Sequence, residues 1–122
     1  MIAFKGRLSF CQYMPAKPMK YGIKVWVAAD SENGYVANMS IYQGSENGRT
    51  YVHGQGYDVV MSMVKPFLNK RHHLFLDNFF STPQLFEHLL VQDTYTCATV
   101  RSNHKGMPKC SKQKLKKPKE LV

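Results

Sequence analysis

Residues 72–90, HHLFLDNFFSTPQLFEHLL, decide how the chain is read. His72 to Asp77 is a short strand, and its unbroken apolar run Leu74, Phe75 and Leu76 is the pattern of a strand buried on both faces. Ser81 or Thr82 is then a good helix N-cap, and Pro83 suits the first helical position, where its missing N–H costs nothing. Leu85, Phe86, Leu89 and Leu90 recur at three- and four-residue steps and supply the buried face of that helix. Tyr95 to Val100, YTCATV, reads as the next strand. Strand, helix and strand in succession place the chain in the α/β class.

The segments upstream agree. Ile23 to Ala29, IKVWVAA, is dense in β-branched and aromatic residues and ends at the turn-like DSENG. Tyr35 to Tyr42, YVANMSIY, resumes as a second strand, and so short a connection implies antiparallel pairing. In the Gly-rich stretch that follows, Thr50 to His53 is a candidate short strand. Its single GxG lacks the strand–glycine–helix context of a phosphate loop. Asp58 can cap a helix through VVMSMVKPFL, which Pro66 kinks or ends. The sum is a mixed sheet with two helices.

With 122 residues, 43% hydrophobic and 20% charged, the chain is one domain or most of one. No apolar run approaches the roughly 20 residues of a membrane helix, so no membrane is expected as a partner. Lys5 and Arg7 interrupt the place where a signal peptide keeps its apolar core. Cys11, Cys97 and Cys110 are odd in number and far apart, which fits neither a disulfide framework nor a zinc site.

The net charge of +9 favours an acidic partner such as nucleic acid. It is unevenly spread: residues 1–100 hold nine Lys/Arg against seven acids, whereas 101–122 hold eight bases against Glu120 alone. The chain thus divides into a nearly neutral globular part, 1–100, and a Lys-rich tail, 101–122. Such a tail is either a solvated end or a phosphate-contacting or nuclear-import segment.

Asp77 is the residue most worth weighing. Ligands and catalytic groups in open α/β sheets gather at the carboxyl ends of strands, where Asp77 lies. An Asp–Asn pair at a strand end also makes a plain turn. The next helix has its own cap, however, so no local vacancy requires an aspartate there. His72 and His73, being adjacent, point to opposite sides of a strand and cannot share a metal. Asp30 and Glu32 belong to a hairpin turn, and Trp26 is read as core packing. No Ser/His/Asp or Cys/His constellation can be assembled.

The ordered set FKGRLSFCQYMPAKPMKYGIKVWVAAD, GYVANMSIYQG, GQGYDVV, HHLFLDNFFSTPQLFEHL and YTCATVRSNHKGMPK resembles the transposase domain of the piggyBac family, including transposon-derived host proteins. The resemblance implies a ribonuclease-H-like fold and a DDE/D set of carboxylates holding two divalent ions, Mg²⁺ or Mn²⁺, for DNA strand cleavage and transfer. By its LDNFF context Asp77 matches the second catalytic acid and a metal ligand of that set. The first acid of the family falls just before the segment matching Met1, and the last fall beyond the segment matching this chain's end. One carboxylate holds Mg²⁺ weakly and leaves a second ion unplaced. The expectation is therefore a sheet truncated at both ends, a chain inactive alone as a transposase, and weak or absent metal binding.

In a ribonuclease-H-like sheet the first strand is central. Here MIAFKG would be its end, leaving edges beside IKVWVAA and LFLD open for another segment or a homo-oligomeric partner. Marginal stability is expected. The partner implied is DNA in the nucleus, contacted by Lys5, Arg7, Lys17, Lys20, Arg101, Lys105, Lys112, Lys114, Lys116 and Lys117, with Lys24 in the same patch. The alternative is a domesticated, non-catalytic nucleic-acid-binding module.

Overall fold

The computed structural model describes residues 1–44 and 50–108. In chain order these form β1 (Ile2–Ala3), β2 (Gln12–Tyr13), β3 (Tyr21–Ile23), β4 (Val25–Ala29), β5 (Val36–Ile41), α1 (Gln55–Val64), β6 (His73–Leu76), α2 (Pro83–Val91) and β7 (Tyr95–Ala98).

The stretch expected as one strand from Ile23 to Ala29 is split at Lys24. On one side, β3 is the centre of a small antiparallel sheet of order β1-β3-β2, with Ile2 opposite Ile23 and Gln12 opposite Gly22. Gly22 is required there, because a Cβ would run into the backbone carbonyl of Ile2. On the other side, β4 pairs antiparallel with β5, from Val25 opposite Ile41 to Ala29 opposite Val36, with a bulge at Ala28/Ala29. The hairpin turn holds Asp30 as expected: its Oδ1 accepts the Glu32 N–H at 2.9 Å, and its own N–H donates to the Tyr35 carbonyl at 2.8 Å.

Two expectations about the middle of the chain are corrected. Thr50 to His53 is not a strand. Helix α1 starts before Asp58, which lies in its first turn rather than at its cap; the cap position is Gly54, at φ 98, with no side-chain bond. The negative charge of Asp58 near the helix N-terminus still suits the helix dipole. Pro66 ends the α-helix as expected, in a single 3₁₀ turn, Lys65–Phe67.

Helix α2 follows the sequence reading closely. Thr82 is the N-cap, its side chain accepting the Leu85 N–H at 3.3 Å, and Pro83 is the first helical residue. Leu85 and Leu89 are fully buried and Phe86 partly so, but Leu90 is 59% exposed, because the buried stripe is narrower than a run of apolar letters suggests. The core joins Tyr57, Val60 and Val64 of α1 to Leu85 and Leu89 of α2, with Leu74, Leu76 and Phe80 packed against it. The Tyr57 hydroxyl also hydrogen-bonds His88 Nδ1, tying the two helices together.

Strands β6 and β7 pair in parallel, His73 opposite Tyr95 through Leu76 opposite Ala98. Strand β6 is not buried on both faces. Leu74 and Leu76 turn towards the core, while Phe75 is 63% exposed. The parallel and antiparallel pairs also belong to separate sheets, not to one mixed sheet. Ile2 and Ala3 pair with Ile23 and Gly22 and go no further, so among the described residues the edges of β4 and β6 away from β5 and β7 carry no strand.

Candidate functional site

Those edges border one cleft of about 800 Å³. It is lined by Trp26, Val27, Ala28 and Ala29 from β4, Leu74, Phe75 and Leu76 from β6, and Val60, Met63 and Val64 from α1, and by Asp77 and Asp30. Asp77 lies at the carboxyl end of β6 in the position the sequence assigned it. Its carboxylate is exposed, and Oδ1 accepts the Asn78 N–H at 2.7 Å and the Thr99 hydroxyl at 3.4 Å.

The strand end beneath it is built firmly. Ser81 is fully buried and its hydroxyl reaches the carbonyls of both Asp77, at 3.1 Å, and Thr99, at 2.7 Å, clamping the ends of β6 and β7 together. The Phe80 N–H closes the turn on the Asp77 carbonyl at 3.1 Å. This resolves the choice between Ser81 and Thr82: Thr82 caps the helix and Ser81 is the clamp. The turn also sits close on α1, where a Cβ on Gly56 would lie 3.0 Å from the Phe79 carbonyl oxygen.

Among the described residues no group of three or more His, Cys, Asp or Glu gathers where it could hold a metal. Mg²⁺ needs several convergent oxygens, and a two-ion centre needs more than one bridging acid. Asp77 with the Thr99 hydroxyl does not fit such a centre by itself. His72 and His73 also separate, His72 against Phe67 and His73 against Tyr95, as their adjacency requires.

Six of the basic residues expected to contact DNA fall in two described groups. Lys5 and Arg7 lie between β1 and β2, and Lys17 and Lys20 between β2 and β3; all four are exposed. Arg101 and Lys105 are exposed beyond β7, in turns closed by the His104 N–H on the Arg101 carbonyl at 3.0 Å and the Met107 N–H on the His104 carbonyl at 3.3 Å. Arg101 follows Thr99 by two residues and so shares the Asp77 end of the β6–β7 pair. Lys112, Lys114, Lys116 and Lys117 lie outside the described residues.

Sequence reading placed Lys24 in a basic patch and Trp26 in the core, and missed that they form one cluster. The Lys24 ammonium stands 4.2 Å from the Trp26 ring centre, 4.8 Å from that of Phe79 and 5.6 Å from that of Tyr42. Burial lowers its pKa from the usual 10.5. The signal available in the sequence was the alternation of Lys24 with Trp26 on one strand face; Phe79 enters only through the fold.

Comparison with known proteins accords with this layout. The family model described as Transposase IS4 matches residues 1–122. The human PiggyBac transposable element-derived protein 3 is 28% identical over 108 residues, covering 85% of this chain and 18% of that protein. The human Chimeric ERCC6-PGBD3 protein is likewise 28% identical over 108 residues, covering 85% of this chain and 10% of its own length. A piggyBac transposase, solved by cryo-EM as a synaptic complex with hairpin DNA, superposes with a TM-score of 0.81 at 32% identity, over 92% of this chain and 24% of that one. The chain thus spans a quarter or less of the relatives it matches. A match to the family model along its whole length, together with these relatives, establishes that the chain belongs to the Transposase IS4 family and, within it, to the piggyBac type.

Proposed function

We propose that the chain contributes Asp77 and a set of phosphate-contacting lysines and arginines to a ribonuclease-H-like DNA-transposition fold, and that as an isolated polypeptide it binds DNA without cutting it. The observation that carries this is the placement of Asp77: the exposed carboxylate stands at the carboxyl end of a parallel strand pair, on a clamped turn, beside an open cleft. Its LDNFF context matches the second acid of the DDE/D set. Strand transfer at phosphorus requires further acids that the described residues do not bring to Asp77. Divalent ions, Mg²⁺ or Mn²⁺, would therefore be held weakly here, and no step is assigned to them.

The DNA partner is supported by the net charge of +9 and by the exposure of Lys5, Arg7, Lys17, Lys20, Arg101 and Lys105. The structural relative's complex with hairpin DNA points the same way. We place the protein in the nucleus, with the Lys-rich tail as its largest electrostatic contact. The cleft between β4 and β6 is the space of a central strand, which the ribonuclease-H-like reading requires and β1 does not reach.

The test is a salt titration of binding to duplex DNA. Affinity should fall steeply with salt, with little sequence preference, and the log–log slope should shrink by about 0.9 for each phosphate contact removed. Changing Lys112, Lys114, Lys116 and Lys117 to Gln should remove the largest part. Absence of binding at low salt would overturn the reading.

A further inference from the structure

From the aromatic cluster around Lys24 we infer a binding site for single-stranded DNA, in which Lys24 takes a backbone phosphate and the adjoining groove takes an unstacked base. The inference rests on the DNA reading above only for the class of ligand; the site itself is argued from the side chains.

An ammonium ringed by Trp26, Phe79 and Tyr42 has shed part of its water, and among the described residues no carboxylate pairs with it. Attraction to ring faces offsets part of that loss, but a desolvated charge gains most from an opposite charge brought to it. The cluster remains open to such a partner. Phe79 is 48% exposed although it stacks on Trp26 at a centroid distance of 5.7 Å and an interplanar angle of 22°.

Trp26, its cross-strand partner Ser40 and Tyr42 also line a groove of about 670 Å³, together with Ser62 and Asp58 of α1. That volume, with ring faces beside hydroxyls and one carboxylate, suits a nucleotide-sized ligand. Asp58 would repel a phosphate inside the groove, but it can accept from the exocyclic amine of a base. The charges therefore orient the ligand, base inward and phosphate outward on Lys24. Duplex DNA keeps its bases stacked and cannot enter in this way. A positive group set among stacking rings is the construction by which proteins hold single strands.

Trp26 is the single tryptophan of the chain and lines both this groove and the cleft between β4 and β6, so its emission is read together with substitutions at Lys24, which change this cluster. The experiment titrates the full chain with a ten-nucleotide oligo(dC), following Trp26 fluorescence and, on a labelled copy, anisotropy. The expected result is saturable, salt-sensitive quenching of Trp26. Lys24→Met should weaken it by about tenfold and reduce the salt slope by about 0.7, while Lys24→Arg keeps the charge and holds the affinity. Far-UV circular dichroism checks the fold of each variant, and the wild-type quenching stands without them. Anisotropy that reports binding while Trp26 emission stays unchanged would overturn the site and leave the DNA reading intact. Equal quenching by duplex of the same length would overturn its preference for single strands. Loss of both signals would overturn both readings.

Discussion

The hydroxyl of Thr99, just past the end of β7, donates to Oδ1 of Asp77 at 3.4 Å, so the end of one parallel strand steadies the carboxylate that terminates the other. Ser81 locks the same two strand ends from beneath. The position of the Asp77 carboxylate is therefore set by contacts within this chain.

Ser81→Ala should test that clamp. It removes a fully buried hydroxyl and its bond to the Thr99 carbonyl, while the Asp77 carbonyl keeps the Phe80 N–H, at a cost of about 1–3 kcal/mol. Thr82→Ala, one residue on, loses an N-cap bond and should cost about 1 kcal/mol. Urea unfolding of the two variants should rank Ser81→Ala as the more damaging.

Gly56→Ala sets two effects of opposite sign against each other. Alanine is better than glycine in a helix, by at most about 1 kcal/mol at this first-turn position, yet here its Cβ would press on the Phe79 carbonyl at 3.0 Å. The carbonyl belongs to a turn fixed by Asp77 and Ser81 and gives way only by moving that turn. The expected outcome is a lower melting temperature, with amide chemical shifts of residues 77–80 displaced.

Leu85→Ala should abolish cooperative folding. A buried leucine truncation costs about 2–5 kcal/mol, and the core of the described residues is small; among them the edges of β4 and β6 away from β5 and β7 carry no strand, and Val27, Met39, Ile41 and Phe75 are exposed on the sheets. The wild-type chain should itself be marginal, binding a hydrophobic dye and associating as concentration rises. A sharp, concentration-independent thermal transition with slow amide exchange at Leu74 to Leu76 would contradict this.

The strand–turn–helix–strand unit was legible because its signals are local: Thr82 and Pro83 mark a helix start whatever surrounds them, and Leu85 and Leu89 mark its inner face. The break at Lys24 was not, since it arises where one extended segment changes partners, from β1 and β2 to β5. Two-residue strands such as β1 and β2 have no periodicity to read. The start of α1 was misplaced because Gly54 caps it through backbone conformation and leaves no polar side chain as a signal. At the site, the place of Asp77 could be found from the apolar strand it follows. Thr99 and Ser81 could not, because their role depends on the parallel pairing of two strands separated by a helix.

Stability should also carry a signature of Lys24. Burial lowers its native pKa below 10.5, so its charge opposes folding at neutral pH. Between the lowered value and 10.5 the unfolded chain binds a proton that the native chain lacks, and stability gains with rising pH across that window. The side chain keeps contact with water, so the amplitude is small. Comparing urea midpoints of wild type and Lys24→Met near neutral pH and above 10.5 should show this gain in wild type and its loss in the variant.

The most direct measurement is incubation of the purified 122-residue chain with transposon-end DNA and Mg²⁺ or Mn²⁺, followed on a denaturing gel, for wild type and Asp77→Ala. The proposed function predicts that both proteins bind the DNA and leave it uncut. Nicking or joining by wild type that disappears in Asp77→Ala would contradict it, and would mean that the chain completes a two-ion centre by itself.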